Sequence, residues 1–363
     1  MTQRTDKVSW STTLAFGAPA IGAGYMYLIL SLYVMKFSTD VLLIAPAVMG
    51  AIFSLSRIWD AISDPLAGYL SDRTTFRLGR RRTWILCSCI PISIGFYAVF
   101  APPFSMQGSE LTLWMTIAIV GFYSAMTLFF VPHMALGAEL SIDYHERSRL
   151  FGVRHIFYTL GSILSLGAMY LLINEEFAEG GNVRLLARDL AFVAIGVMVV
   201  LVLYAVVYLR ERPEFQNRQQ GGPLQAFRDI WGNPHARLLI TVTFIENVGS
   251  AAIAALTLYI SQYVVGAPAM APLIILAYMV PSSLFVPVWI PLSKRFGKIK
   301  VWMGGMILTG LSFGGMFFLP FIESLDQRLF LIMFLAAFAG LAAGCGLRRD
   351  AGAVPTRRCY RLR

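Results

Sequence analysis

Charge is scarce in this sequence. Only 14% of its 363 residues are charged, against about 25% in an ordinary soluble domain. The few charges gather in short segments between long apolar runs. That pattern excludes a large soluble core and places the chain in a bilayer. In–out alternation is missing too: barrel strands alternate over ~10 residues, whereas these apolar runs continue for about 20 residues, so a membrane β-barrel is excluded. Cysteine is limited to Cys87, Cys89, Cys345 and Cys359, which make no disulfide framework. Cys87 and Cys89 stand one residue apart inside an apolar run, a spacing no metal site uses, and read as small apolar fillers. The first apolar run, from about Leu14 to Val34, lacks a clear small-residue cleavage site, so it reads as a span and not a removable leader. No GxGD motif occurs. The paired membrane acids described below lie on one helix, whereas an intramembrane aspartyl protease needs carboxylates facing each other from different helices. No enzyme activity and no cofactor are expected.

What the chain does have is apolar length. Runs near 11–35, 45–71, 84–102, 111–138, 154–173, 187–209, 237–264, 269–292, 300–320 and 327–345 predict ten transmembrane helices. The longest interruption, residues 210–236, is rich in Pro, Gly, Gln and charge and reads as a linker between halves. The expected organisation is an N-terminal six-helix half over 1–209, a linker over 210–236 and a partial C-terminal half of four helices over 237–345. A basic tail over 346–363 follows. Lys and Arg set the orientation. With the N-terminus cytoplasmic, the outer loops carry only Lys36, Arg184, Arg188 and Arg328, while nearly all the rest fall inside. The net charge of +10 is thereby explained as membrane topology, and no nucleic-acid partner is needed. A basic turn after the second span, "GYLSDRTTFRLGRRRTW", finds a weak echo after the eighth, "PLSKRFGKIKVW", as duplicated transporter halves would give.

Within the second span, "RIWDAISDPLAGYL" places Arg57, Asp60 and Asp64 at helical spacings of three and four, with Ser63 at the edge of the stripe. Each charge at mid-span costs about 2.5–3.5 kcal/mol, so the stripe must face protein or a watery cavity. Two carboxylates ~6 Å apart repel by about 3 kcal/mol at an effective dielectric near 20. The pair relaxes by taking up a proton, by pairing with Arg57 or Arg154, or by binding a hard cation such as Na⁺ between clustered oxygens. Ion coupling and a structural salt bridge are the two readings, and the first is favoured because intramembrane acids are usually functional. Glu246 and Asn247, early in the seventh span, are weaker polar candidates.

The stretches "RIWDAISDPLAGYLSDRT…GRRRTW", "STDVL", "MTLFFVPHMALGAELSIDYHERSRLFGVR" and "ERP" resemble the glycoside–pentoside–hexuronide:cation symporters (melibiose permease-like) of the major facilitator superfamily. The resemblance implies an all-α polytopic membrane protein, a major-facilitator-type helical bundle, here with about ten transmembrane helices where the family has twelve. It implies a cation site of Asp60, Ser63, Asp64 and Thr127 for Na⁺ or H⁺, and substrate contacts from Tyr25, Arg154 and the adjacent His155. It assigns the loop carrying Asp72, Arg73, Gly79, Arg80 and Arg81 to gating at the cytoplasmic face. Two departures stand out. Residues 8–35 contain no Asp or Glu, and Phe130 occupies the helix 4 position of a sugar-anchoring acid. After "AAFAGLAAGCG" comes an arginine-rich tail instead of the family's continuation, which is expected to reflect a truncated or frame-shifted end lacking two helices.

The expectation is therefore a monomeric cation-coupled symporter of a bacterial inner membrane. Its partners are a small sugar-like solute, the coupling ion and membrane lipids. The alternatives are a symporter of an amphiphilic, lipid-like solute and an inactive truncated remnant.

Overall fold

A computed structural model describes residues 7–178, 180–212, 232 and 234–343. Most of the expected linker, residues 213–231, lies outside them, as does the basic tail. Every described element is helical. The chain divides into two compact units, Met1–Ala255 and Leu256–Arg363.

The first unit opens with α1 (Trp10–Gly17) and α2 (Pro19–Lys36). The Ser9 hydroxyl caps α1 by accepting from the Thr12 amide at 3.2 Å. Pro19 begins α2, where its missing N–H is no loss. A wider π-helical turn over Phe37–Val41 closes this first stretch. There follow α3 (Pro46–Arg73), α4 (Arg80–Phe100), α5 (Gly108–Glu139), α6 (Tyr144–Phe177) and α7 (Val183–Tyr208). Helix α2 packs on α6, while α5 packs on both α3 and α4. The α2–α6 crossing is built on glycine: a Cβ on Gly24 would lie 2.2 Å from the Tyr158 carbonyl, and one on Gly161 only 1.9 Å from that of Ile21. In lipid, where apolar side chains gain little by leaving one neighbour for another, such close backbone approach is a main source of helix association.

The helix α8 (Pro234–Tyr259) runs across the boundary of the units and ends in a π-helical turn, Ile260–Val265. The second unit continues with α9 (Ala271–Leu284), α10 (Val286–Phe296), α11 (Lys298–Gly315) and α12 (Leu325–Ala343). Its core gathers Val265, Ile274, Leu319, Ile332 and Ala336. Gly340 of α12 lets the Tyr278 carbonyl of α9 approach to 2.0 Å of where a Cβ would stand.

Among the described residues, seven helical stretches are long and apolar enough to cross a membrane, with shorter apolar helices at Leu256–Val265 and Pro268–Leu284. Helix α3 is not among the seven, because Arg57, Asp60, Asp64, Asp72 and Arg73 lower its hydropathy. The span expected at 269–292 is divided between α9 and α10. Pro287 lacks the amide that would carry the helix through the break. Helix α6 starts ten residues before the apolar run expected from 154, since Glu146 and Arg149 pair at 2.8 Å across one helical turn. Arg154 consequently lies inside a helix and not in a loop.

Candidate cation and solute site

On α3 the stripe forms as its spacing predicts, but its three charges have different partners. Arg57 donates from Nη1 to Asp60 Oδ2 at 3.2 Å and to the Tyr27 hydroxyl at 3.0 Å. Its Nη2 donates to the Tyr123 hydroxyl at 3.0 Å, and the guanidinium lies 4.4 Å from the Tyr123 ring centre. Asp60 Oδ1 is buried with no hydrogen-bond partner. Among the described residues Asp64 receives no arginine. Its Oδ1 accepts from the Thr127 hydroxyl of α5 at 2.8 Å. Thr127 is 6% exposed, so this bond lies in the packed α3–α5 seam. Ser63 turns its hydroxyl back to the Asp60 carbonyl at 3.5 Å, a long contact that leaves the oxygen free to rotate.

Asp60 and Asp64 open on one cavity of about 590 Å³, walled also by Tyr27, Tyr123, Thr127, Phe130 and Tyr158. The α5 wall follows from helical spacing: Tyr123, Thr127 and Phe130 are four and three residues apart and share a face. Two carboxylates and a threonine hydroxyl, all oxygen donors, suit a hard monovalent cation or a proton. The aromatic rings, with hydroxyl groups at their edges, suit a flat polyhydroxylated solute.

The remaining substrate candidates are placed differently. Tyr25 is not in the cavity wall, whereas Tyr27 is. Residues two apart on a helix point to well-separated faces. Arg154 stands behind the wall, its guanidinium 5.8 Å from the Phe130 ring centre. Among the described residues it makes no hydrogen bond or ion pair, and its Nε is buried without an acceptor. His155, next along α6, is exposed.

The loop candidates separate as well. Arg80 and Arg81, 6% and 4% exposed, are drawn into a charged cluster at the α3–α4 turn. Arg80 pairs with Glu139 at 2.7 Å and with Asp72 at 3.8 Å. Arg81 pairs with Glu139 at 3.3 Å and also with Asp72, and it donates to the Ser71 hydroxyl at 2.8 Å. Arg73 lies outside this cluster, exposed and stacked 4.1 Å from the Tyr69 ring centre. The Glu211 carboxylate, just past α7, accepts the backbone amides of Arg80, Arg81 and Arg82 at 2.8, 2.7 and 2.8 Å. It thus fills the open N-terminus of α4. Gly79 precedes that terminus at φ +114°, and a Cβ there would fall 2.6 Å from the Glu211 carboxylate.

Sequence reasoning did not single out Tyr27, Tyr123, Tyr158, Glu139 or Glu211. The recurrence of Tyr123, Thr127 and Phe130 on one helical face was the available signal for the α5 wall. Glu211 sits in the quoted "ERP" but carries no local hint that it caps another helix. The side chains of Glu246 and Asn247 lie outside the described residues.

Comparison with known proteins gives a consistent picture. The profile of the family described as MFS/sugar transport protein matches residues 15–348. The chain is 38% identical over 189 residues to the uncharacterized symporter sll1374 of Synechocystis, covering 48% of this chain and 35% of that one. It is 25% identical over 312 residues to the isoprimeverose transporter of Lactiplantibacillus pentosus, covering 84% of this chain and 63% of that one. The chain thus spans about a third and somewhat under two thirds of these relatives' lengths. The xylose transporter XylE from E. coli, in a partially occluded inward-open conformation, has a similar fold: TM-score 0.60, 16% identity, 94% of this chain and 87% of that one.

Proposed function

Because the chain belongs to the MFS/sugar transport family and is a multi-pass membrane protein, we propose that it is a cation-coupled symporter of a sugar-like solute, working by alternating access. The coupling ion, Na⁺ or H⁺, is taken up between Asp60 and Asp64, with the Thr127 and Ser63 hydroxyls completing an oxygen shell. The solute lies in the adjoining aromatic cavity near Tyr27, with Tyr25, Arg154 and His155 as the further contacts that the family pattern assigns. No enzyme activity and no cofactor belong to this reading. The protein works as a monomer in a bacterial inner membrane, N-terminus inside. In this reading residues 1–209 form one half, 210–236 the linker and 237–345 belong to the second.

One observation carries the proposal: two carboxylates on one helix face open on a cavity, and one of their oxygens is buried without a partner. An anion so placed in a low dielectric calls for a positive charge from outside. Arg57 answers for Asp60 only in part, which retains something of the structural salt bridge but leaves Asp64 free to load. Binding of ion and solute must then be reciprocal, each raising affinity for the other by the same factor.

The test is uptake in proteoliposomes containing purified protein. A labelled glycoside should accumulate when a Na⁺ or H⁺ gradient is imposed, and Asp64→Asn should abolish the dependence on that gradient. Ion-dependent uptake unchanged in both Asp60→Asn and Asp64→Asn overturns the mechanism. The apolar side of the cavity, formed by Met126, Phe130, Val131 and Met134, favours as a second reading a solute with a lipid-like portion. In that case an alkyl glycoside should outcompete the corresponding free sugar.

A further inference from the structure

We infer that His133 is a positioning residue of the transport cycle: its ring N–H pins α5 to the break in the first span and thereby sets ion affinity at Asp64 and Thr127. This rests on the symport reading above. The first span is interrupted at Ala18, between α1 and α2. Pro19 brings no amide to that break, and the Ile21 amide turns to the Ala18 carbonyl, three residues back, at 3.1 Å. The Phe16 carbonyl meets His133 Nε2 of α5 at 2.9 Å. A carbonyl only accepts, so the proton of this imidazole sits on Nε2. The ring is wholly buried. It is sandwiched between Phe16 and Phe129, with ring centres 4.6 and 4.9 Å away and interplanar angles of 20° and 17°.

Packing alone does not call for histidine here. Phenylalanine would fill a slot between two phenyl rings without burying two nitrogens, and Nδ1 is buried with no partner among the described residues. What histidine adds is one donor, placed where the helices are weak. Pro132, the residue before it, leaves the bond to the Leu128 carbonyl unmade inside α5. Pro65 interrupts the backbone bonding of α3 in the same way, directly after Asp64. The Asp64–Thr127 bond thus stands just N-terminal to a proline in both of its helices. Beyond those prolines the two helices end in one charged cluster, where Arg81 pairs with Asp72 of α3 and with Glu139 of α5. The two end segments form a block that can swing about the prolines. The His133–Phe16 bond ties that block to the first span, which also carries Tyr27 in the cavity wall. With the tie made, the block is fixed and Thr127 is presented to Asp64. Without the donor, the block moves about both prolines, and the oxygens that receive the ion lose their fixed spacing.

The test compares variants of the full chain in detergent, with Na⁺ as the probe and acid as the second arm. Half-saturation is read from stabilisation against heat, and Asp64→Asn marks the part that belongs to the ion site. His133→Phe keeps the stack and removes the donor. It should raise half-saturating Na⁺ about tenfold, the scale of one hydrogen bond, or move the acid midpoint about one pH unit down. His133→Gln gives up the stack but carries an amide N–H at the reach of Nε2. It should keep half-saturation within about threefold of wild type while melting at a lower temperature. A merely structural histidine predicts half-saturation that follows melting temperature, so that His133→Gln shifts further. His133→Gln shifted as far as His133→Phe, or neither shifted, overturns the inference and leaves symport intact. If His133→Phe does not fold, His133→Asn takes its place, because the shorter amide does not reach Phe16. Half-saturation then equal in the Asn and Gln variants overturns the inference. Wild-type protein that neither Na⁺ nor acid stabilises through Asp64 removes the symport reading itself, and the inference with it.

Discussion

Asp60 and Asp64 are chemically identical and physically unlike. Arg57 stands on Asp60, so removing that carboxylate strands a guanidinium that also ties Tyr27 and Tyr123. Among the described residues Asp64 holds only the Thr127 hydroxyl, so its loss disturbs less of the packing. Asp60→Asn should therefore lower both transport and thermal stability, while Asp64→Asn should lose ion dependence with the melting temperature nearly unchanged. Equal destabilisation by the two would show that the stripe is structural. Thr127→Val removes one hydrogen bond to a charged group, worth about 1.5–3 kcal/mol. The ion concentration for half-maximal uptake should then rise roughly tenfold or more, and an unchanged value would take Thr127 out of the ion shell. At this scale the acids were legible because charge in a lipid-compatible helix is conspicuous at any spacing. Tyr27 was not, because an aromatic in an apolar run carries no mark of whether it faces a cavity, lipid or core. Two positions in "YMY" that look equivalent in the sequence point to different faces once the helix turns.

Helices come together here where glycine allows it. At the α2–α6 crossing, Gly24 and Gly161 leave no room even for a methyl group. Gly161→Ala should lower stability by roughly 1–3 kcal/mol through overpacking, read as a drop in melting temperature in detergent. Gly196, with open space around its Cβ position, gives the comparison: Gly196→Ala should be neutral or slightly stabilising. Similar effects at both positions would mean the crossing can widen without loss. The turn from α3 to α4 depends on a different device. Gly79 sits at φ +114° against the Glu211 carboxylate, and that carboxylate holds three amides of α4. Glu211→Gln keeps the shape but halves the strong acceptors and removes the charge facing the helix dipole. It should lower the melting temperature measurably and leave ligand half-saturation unchanged. A change in half-saturation alone would instead make this carboxylate part of the transport cycle. Element existence was largely legible, since runs of about 20 apolar residues have few alternatives to a helix in lipid. Ends and breaks were less so: α6 gains its first turns from polar residues that pair with each other, and α9 stops where prolines withdraw amides. Glu211 as a cap could not be read from sequence, because the three amides it serves lie more than a hundred residues away.

Across the whole molecule, the fold class follows from hydropathy, but sidedness follows from a few cations. Arginine clusters between α3 and α4, whereas the stretch between α4 and α5, residues 101–107, has no charge at all. A translocating chain retains positive loops on the inner side, so the two ends of α4 should lie on opposite sides of the membrane, the arginine-rich end inside. The described structure offers an exposed residue in each loop, Thr75 before α4 and Ser105 after it. In a chain with its native cysteines replaced by serine, Ser105→Cys should react with a membrane-impermeant maleimide applied to intact cells. Thr75→Cys should react only after the membrane is opened. The two failures mean different things. Labelling of both from outside would show that α4, despite its apolar length, does not cross. Labelling of Thr75→Cys alone would show that it crosses in the opposite sense, which would invert the direction in which an inward gradient of the coupling ion drives the solute.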